Sequence, residues 1–248
     1  PAEERRTRAV RSRRTLDPED AVALGRLAPD SIAAVVAEAW PQARSADELH
    51  DALSLAGFLT AAEVAAAGEA AWPGLFASLA AAGRATAVAV GPGEPGRELW
   101  VSGERLAQVL RIVPGAACAP AIGAVDAGVR SAAGSRDEAL RELVRSRLET
   151  LGPVTAALLA APLAIDPAEV TAALVALEVE GQAVRGRFTD TVAGDEWCDR
   201  RLLARIHRGT LTVLRKAVEP VSAAAWQRFA FAWHGLDGSA AGDVDGLQ

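Results

Sequence analysis

Tyrosine is missing from this chain, lysine occurs once, at Lys216, and the three histidines (His50, His207, His234) are scattered. No serine or cysteine stands at a spacing that suggests a histidine partner, so nothing here reads as a nucleophilic triad. The only cysteines, Cys118 and Cys198, lie far apart and outside any CxxC pair. That excludes a standard zinc site, allows one disulfide at most, and makes a reducing, cytoplasmic setting the expectation. No run of about 18 apolar residues exists that could cross a membrane. The phosphate-binding pattern GxxxxGK[ST] is also missing, and with it any nucleotide triphosphatase site of the chain's own. Net charge is −6, against a protein that coats nucleic acid with uniform positive charge. The first residues, Pro1-Ala2-Glu3-Glu4-Arg5-Arg6, are neither an initiator methionine nor a signal peptide and read as a cut end. Residues 235–248, rich in Gly, Asp and Ala, read as a truncated or frayed tail.

What is present is a helical pattern with two hairpin signals. Six arginines in residues 5–14 precede Asp17-Pro18-Glu19, a helix start, and a second helix fits residues 30–40 before Pro41. Ser45-Ala46-Asp47-Glu48 is a capping box, followed by helices over 45–56, 61–67 and 72–82. Strands at 86–90 and 98–101 come next, then a closing helix over 104–113. Three helices and a hairpin is the order of a winged helix. Residues 116–134 are small and aperiodic, a linker. The order then repeats: a capping box at Ser135-Arg136-Asp137-Glu138, helices to Leu151, over 154–161 and over 166–180, a strand over 182–188 and a wing tip over 189–195. A long amphipathic helix over 197–217 and a last one over 222–233 follow. The expected fold is mainly α (α+β): tandem winged helices plus C-terminal helices. Its divisions are a basic lead-in over 1–44, a first winged helix over 45–115, a linker over 116–134, a second winged helix over 135–195, and a helical region over 196–248.

Several matches imitate enzyme motifs. Gly91-Pro92-Gly93-Glu94-Pro95-Gly96 satisfies GxGxxG, but a strand follows it and its prolines have no N–H to offer a phosphate, so it reads as a hairpin tip. Asp47-Glu48-Leu49-His50 and Asp137-Glu138-Ala139-Leu140 imitate helicase boxes, yet both sit just inside a serine cap, where acids favour the positive end of the helix. Asp195, Glu196 and Asp199 read as first-turn acids of the long helix. No catalytic residue, metal ligand or cofactor site is assigned.

The long helix has two faces. At 100° per residue, Arg205, Arg208, Thr212, Arg215 and Lys216 fall within about 60° of Arg201. Leu202, Leu203, Ile206, Thr210, Val213 and Leu214 take the opposite arc. Cations so placed can meet successive phosphates, although a charge run is equally a solvated surface. Arg185 and Arg187 alternate along the second hairpin and point to one side of it. The third helices argue against base reading. Helix 166–180 carries Glu169, Glu178 and Glu180 with no cation, and helix 72–82 has no charge at all.

The run Glu196-Trp197-Cys198-Asp199-Arg200-Arg201-Leu202-Leu203-Ala204-Arg205-Ile206-His207-Arg208 resembles a signature of the large helicase-related (Lhr) family. Glu219-Pro220-Val221, Leu151-Gly152-Pro153-Val154-Thr155, Arg185-Gly186-Arg187-Phe188, Glu3-Glu4-Arg5-Arg6-Thr7 and Ala46-Asp47-Glu48-Leu49-His50 extend it in order over nearly the whole chain. The resemblance implies a parent that is an ATP-dependent 3′-to-5′ DNA helicase acting in repair, with ATP and magnesium held in a helicase core outside this sequence. This chain would lie in the winged-helix region after that core, near a part similar to a DNA glycosylase. One departure is Gly209, where the family carries an aromatic, which removes a stacking surface. The expected partners are DNA or an RNA–DNA hybrid, gripped by the backbone, and the parent's own helicase core; no membrane is expected. Rival readings are a transcription regulator, a protein-only assembly module, and the entry part of a glycosylase-like domain.

Overall fold

Side-chain caps set most of the helix starts. Ser45, Thr60, Ser135, Thr155 and Asp166 each accept a backbone N–H from the first turn that follows, satisfying a donor with no partner inside the helix. Thr60 with Glu63 and Ser135 with Glu138 form complete capping boxes. At Ser45 the box is skewed, because the Glu48 carboxylate accepts from the amide of Arg44. Both imitations of helicase boxes are therefore cap acids.

The computed structural model describes residues 27–91, 98–122, 134–189, 192, 194–217 and 221–234, with the side chains of Lys216 and Ala217 excepted. The expected features at 5–19, 92–97, 123–133 and 235–248 lie outside the described residues. The elements are α1 (Pro29–Ala39), α2 (Ala46–Ala56), β1 (Leu59–Thr60), α3 (Ala61–Ala66), α4 (Trp72–Ala81), β2 (Ala85–Ala89), β3 (Glu98–Ser102), α5 (Gly103–Ile112), β4 (Ala117–Ala119), α6 (Arg136–Leu151), α7 (Ala156–Ala160) with a 3-10 turn (Ala161–Leu163), α8 (Pro167–Val179), β5 (Ala183–Gly186), β6 (Glu196–Asp199), α9 (Arg200–Ala217) and α10 (Ala223–Trp233). The protein is mainly helical with small antiparallel sheets. The described residues up to Thr210 form one compact unit, and those from Leu211 onward a second that holds the end of α9 and α10.

The first sheet has the order β1-β3-β2-β4, and both its faces are buried. Strand alternation sends Val88, Leu99 and Val101 into one apolar cluster and Ala85 and Trp100 into another. Trp100 stacks on Phe76 of α4 at 4.3 Å between ring centres, and the Trp72 indole donates to the Ala43 carbonyl at 2.9 Å. The opposite cluster continues without a break into α6, α7, α8 and Trp197, so residues 58–113 and 139–197 share one core. Arg147 crosses it. Only 3% exposed, it is paired with Glu63, donates to the Phe58 carbonyl at 2.8 Å and lies 4.5 Å from the Phe58 ring centre.

Four stretches differ from the sequence reading. Leu59–Thr60 and Ala117–Ala119, too short and small to show a period, are strands because β3 and β2 offer them open edges. The strand expected over 182–188 stops at Gly186, since the amides of Phe188 and Thr189 go to the Glu196 carboxylate instead of a ladder. Trp197 and Cys198, expected in the long helix, belong to β6: Trp197 pairs with Arg185 and exchanges two backbone bonds with Val154 at 2.7 and 2.8 Å. The helix begins only at Arg200, capped by the Asp199 carboxylate, which accepts from the amides of Arg201 and Leu202.

Burial pushes the Cys198 thiol up to about 12, with Asp199 and Glu196 adding to the shift. A thiol held that far above neutrality is a poor nucleophile. In the native protein at pH 8, a disulfide-exchange reagent is expected to leave Cys198 unlabelled. Denaturant should expose a second reactive thiol besides Cys118, counted by absorbance.

Candidate nucleic-acid interface

α9 is the element on which the candidate residues converge. Leu202, Ile206 and Thr210 are buried, and Leu202 and Ile206 form a third apolar cluster with Leu27, Val35 and Cys198, while Arg201 and Arg208 face outward. The two-faced projection therefore describes α9 up to Thr210. Beyond it the expectation fails: Val213 and Leu214, assigned to the packed arc, are exposed, as is Arg215. Lys216 has its side chain outside the described residues.

Gly209 has a packing role. A Cβ there would stand 3.0 Å from the Ser31 hydroxyl and 3.1 Å from the Ser31 Cβ, so glycine lets α1 lie against α9. The Thr210 hydroxyl completes the contact by accepting from the Ala28 amide at 2.9 Å. An aromatic at 209 would meet α1 before it met a base.

The candidate cations are not equivalent. Arg205 is ion-paired with Glu38 of α1. Arg185 has Glu178 and Asp195 each at 3.8 Å and lies over the Trp197 ring, 5.5 Å from its centre. Arg187 is exposed just past the end of β5. Among the described residues, Arg187, Arg201 and Arg215 face no carboxylate. The helix over 167–179 is as poor in donors as its sequence suggests, and its acids are spoken for: Glu169 pairs with Arg136, Glu180 with Arg141, and Glu178 approaches Arg185. Ala172, Val175 and Val179 form its outward surface.

Two further groups were not legible as site residues. Arg200, the first residue of α9, projects about 100° from Arg201 and so falls off the stripe. Its guanidinium passes over Gly181. Together with His207 and Arg208 it borders a cleft walled by Val184, Phe188 and Leu203. Glu196, read as a helix acid, is instead a 1% exposed carboxylate that accepts from the amides of Phe188 and Thr189 at 2.6 and 2.7 Å and from the Thr189 hydroxyl at 2.6 Å. Hydrogen bonds to a charged acceptor contribute about 1.5–3 kcal/mol each, less what solvent restores. Glu196→Ala is expected to lower stability by about 3 kcal/mol, read from the shift in urea midpoint.

Among the described residues, no group of three His, Cys, Asp or Glu side chains could hold a metal ion. Nor is any helix among them long and apolar enough to cross a membrane.

These features belong to a known class. A family model described as DNA glycosylase AlkZ-like matches residues 5–212, and the chain belongs to that family. Over 113 residues it is also 32% identical to the Lhr helicase/probable uracil glycosylase of Mycolicibacterium smegmatis. That match takes in 46% of this chain and 8% of the relative, so the chain spans under a tenth of that protein's length. The likeness to Lhr proteins, read from the sequence over nearly the whole chain, is thus found over less than half of it, and the AlkZ-like family covers most of the rest.

Proposed function

We propose that this chain positions DNA without cutting it, holding the sugar–phosphate backbone through α9 and the second hairpin and reading no base sequence. The observation that carries this is the outward arginine side of α9, exposed Arg201 and Arg208 with half-buried Arg205 between them, set on a helix whose other side is locked into the core by Leu202, Ile206 and Thr210. Arg187 and Arg185 extend the charge onto the hairpin, and the sequence projection puts Arg215 and Lys216 further along the same stripe. Membership in a DNA glycosylase family supports DNA as the partner. The orders α2-β1-α3-α4-β2-β3 and α6-α7-α8-β5-β6 support two winged helices in tandem, over 45–115 and 135–195, used here as architecture. In a longer Lhr-like parent, the ATP and magnesium of strand translocation belong to a separate helicase core, and an RNA–DNA hybrid is a second candidate partner.

The test is fluorescence anisotropy of the chain with labelled single-strand DNA, duplex DNA and hybrid over a salt series. Backbone holding predicts binding to duplexes of unrelated sequence with equal affinity and a steep loss with salt. No binding at low salt by the folded chain would sink the proposal.

A second reading is favoured by the family match over residues 5–212: that the chain itself takes part in base excision. The relative's name, probable uracil glycosylase, makes uracil-containing DNA the first substrate to try. Release of free uracil by the chain alone would replace positioning with catalysis.

A further inference from the structure

The cleft bordered by Arg200, His207 and Arg208 has a volume of about 640 Å³, within the ~300–1,000 Å³ that small-molecule sites occupy. Its walls are Leu27, Val184, Phe188 and Leu203, and among the described residues no Asp or Glu lines it. Two features set the Phe188 ring in place. Its amide is tied to the buried Glu196 carboxylate, and its ring covers Gly186, where a Cβ would stand 2.7 Å from the ring edge. Arg200, Ala204 and His207 occupy the arc of α9 next to the Arg201–Arg208 stripe, so the cleft opens beside the line of cations. An aromatic and aliphatic wall under a rim of guanidinium and imidazole groups suits a ligand with one flat apolar part and one anionic part. A nucleotide has both, and a base still stacked in a duplex has neither face to offer.

We propose that this cleft seats a single unstacked nucleotide, its base against Phe188 and its phosphate at Arg200 and Arg208. The inference rests on the DNA-positioning reading and adds a substrate preference to it: DNA with an unpaired nucleotide over an intact duplex.

The test compares the full chain with an intact duplex and with the same duplex carrying a one-nucleotide bulge, by competition anisotropy, and with dAMP by calorimetry. Base stacking on an aromatic side chain predicts at least about fivefold tighter binding of the bulged duplex. Phe188→Ala should bring that ratio to one. Ala204→Phe, at an exposed position on the cleft wall, should do the same without touching the core. Binding of dAMP by the wild type but not by Ala204→Phe, with a ratio of one, assigns the same cleft to a free nucleotide. A ratio of one with no dAMP binding overturns the inference while leaving backbone holding intact. Failure to bind either duplex overturns both.

Discussion

Changing Arg201, Arg205 and Arg208 together to alanine is expected to weaken duplex binding roughly 100-fold near 0.1 M salt and to flatten its salt dependence. Each phosphate neutralised releases about 0.9 counterion, worth about 1.2 kcal/mol at that salt concentration, so two or three lost contacts cost about 2.5–3.5 kcal/mol. The slope of log affinity against log salt should fall by about 1.8 if two contacts are lost and 2.7 if three are. The difference between those values reports on Arg205. Its guanidinium is already paired with Glu38, so it meets a phosphate only by giving up that carboxylate, and its share of the effect should be smaller than that of Arg201. The substitutions lie on the exposed side of α9, away from Leu202 and Ile206, so the urea midpoint of the triple variant should stay near that of the parent. An unchanged slope with an unchanged fold would remove α9 from the interface.

Arg147→Ala is expected to destabilise the protein by about 3–5 kcal/mol, the largest effect of any single change considered. Burial pushes the Arg147 guanidinium below its ordinary range, and the Glu63 carboxylate opposes that shift. The charge persists in the core because Glu63, the Phe58 carbonyl and the Phe58 ring surround it. Removing one partner of a buried pair leaves the other uncompensated, and Glu63 would be the one stranded. A double change, Arg147→Met with Glu63→Gln, removes both charges and keeps the volume. It should cost well under the single change, because the desolvation of two ions disappears with their attraction. Urea denaturation of the two variants checks this; equal losses would mean that packing, not charge, is what Arg147 supplies. Because Arg147 on α6 reaches Phe58 and Glu63, its loss should also loosen the contact between the two helix-and-hairpin halves.

Local chemistry was legible from the chain alone. Ser45 and Ser135 cap helices where an S-x-x-E spacing places them, and Asp166-Pro167 opens α8 in the same way, because a cap is a contact between residues two or three apart. The two-faced character of α9 was also readable as far as Thr210, since 3.6 residues per turn place Leu202 and Ile206 opposite Arg201 and Arg205. Where partners come from far along the sequence, the reading failed. Trp197 looked helical until Val154, 43 positions earlier, claimed its backbone groups. Glu196 looked like a surface acid of a first turn, yet the bend after β5 delivers three donors to it. Ala117–Ala119 carries no strand signal and becomes one only against β2.

The sequence by itself therefore determined the helices, their caps, the absence of a triphosphate-binding loop and the run of arginines, all properties of neighbouring residues. Only the tertiary structure decided which arginines are available. Glu38 comes from α1 to hold Arg205, Glu178 and Asp195 flank Arg185, and Phe188 swings over Gly186 to wall a cleft with Arg200. Charge is a property of a side chain, but its freedom to meet a phosphate depends on what the fold brings within about 4 Å of it.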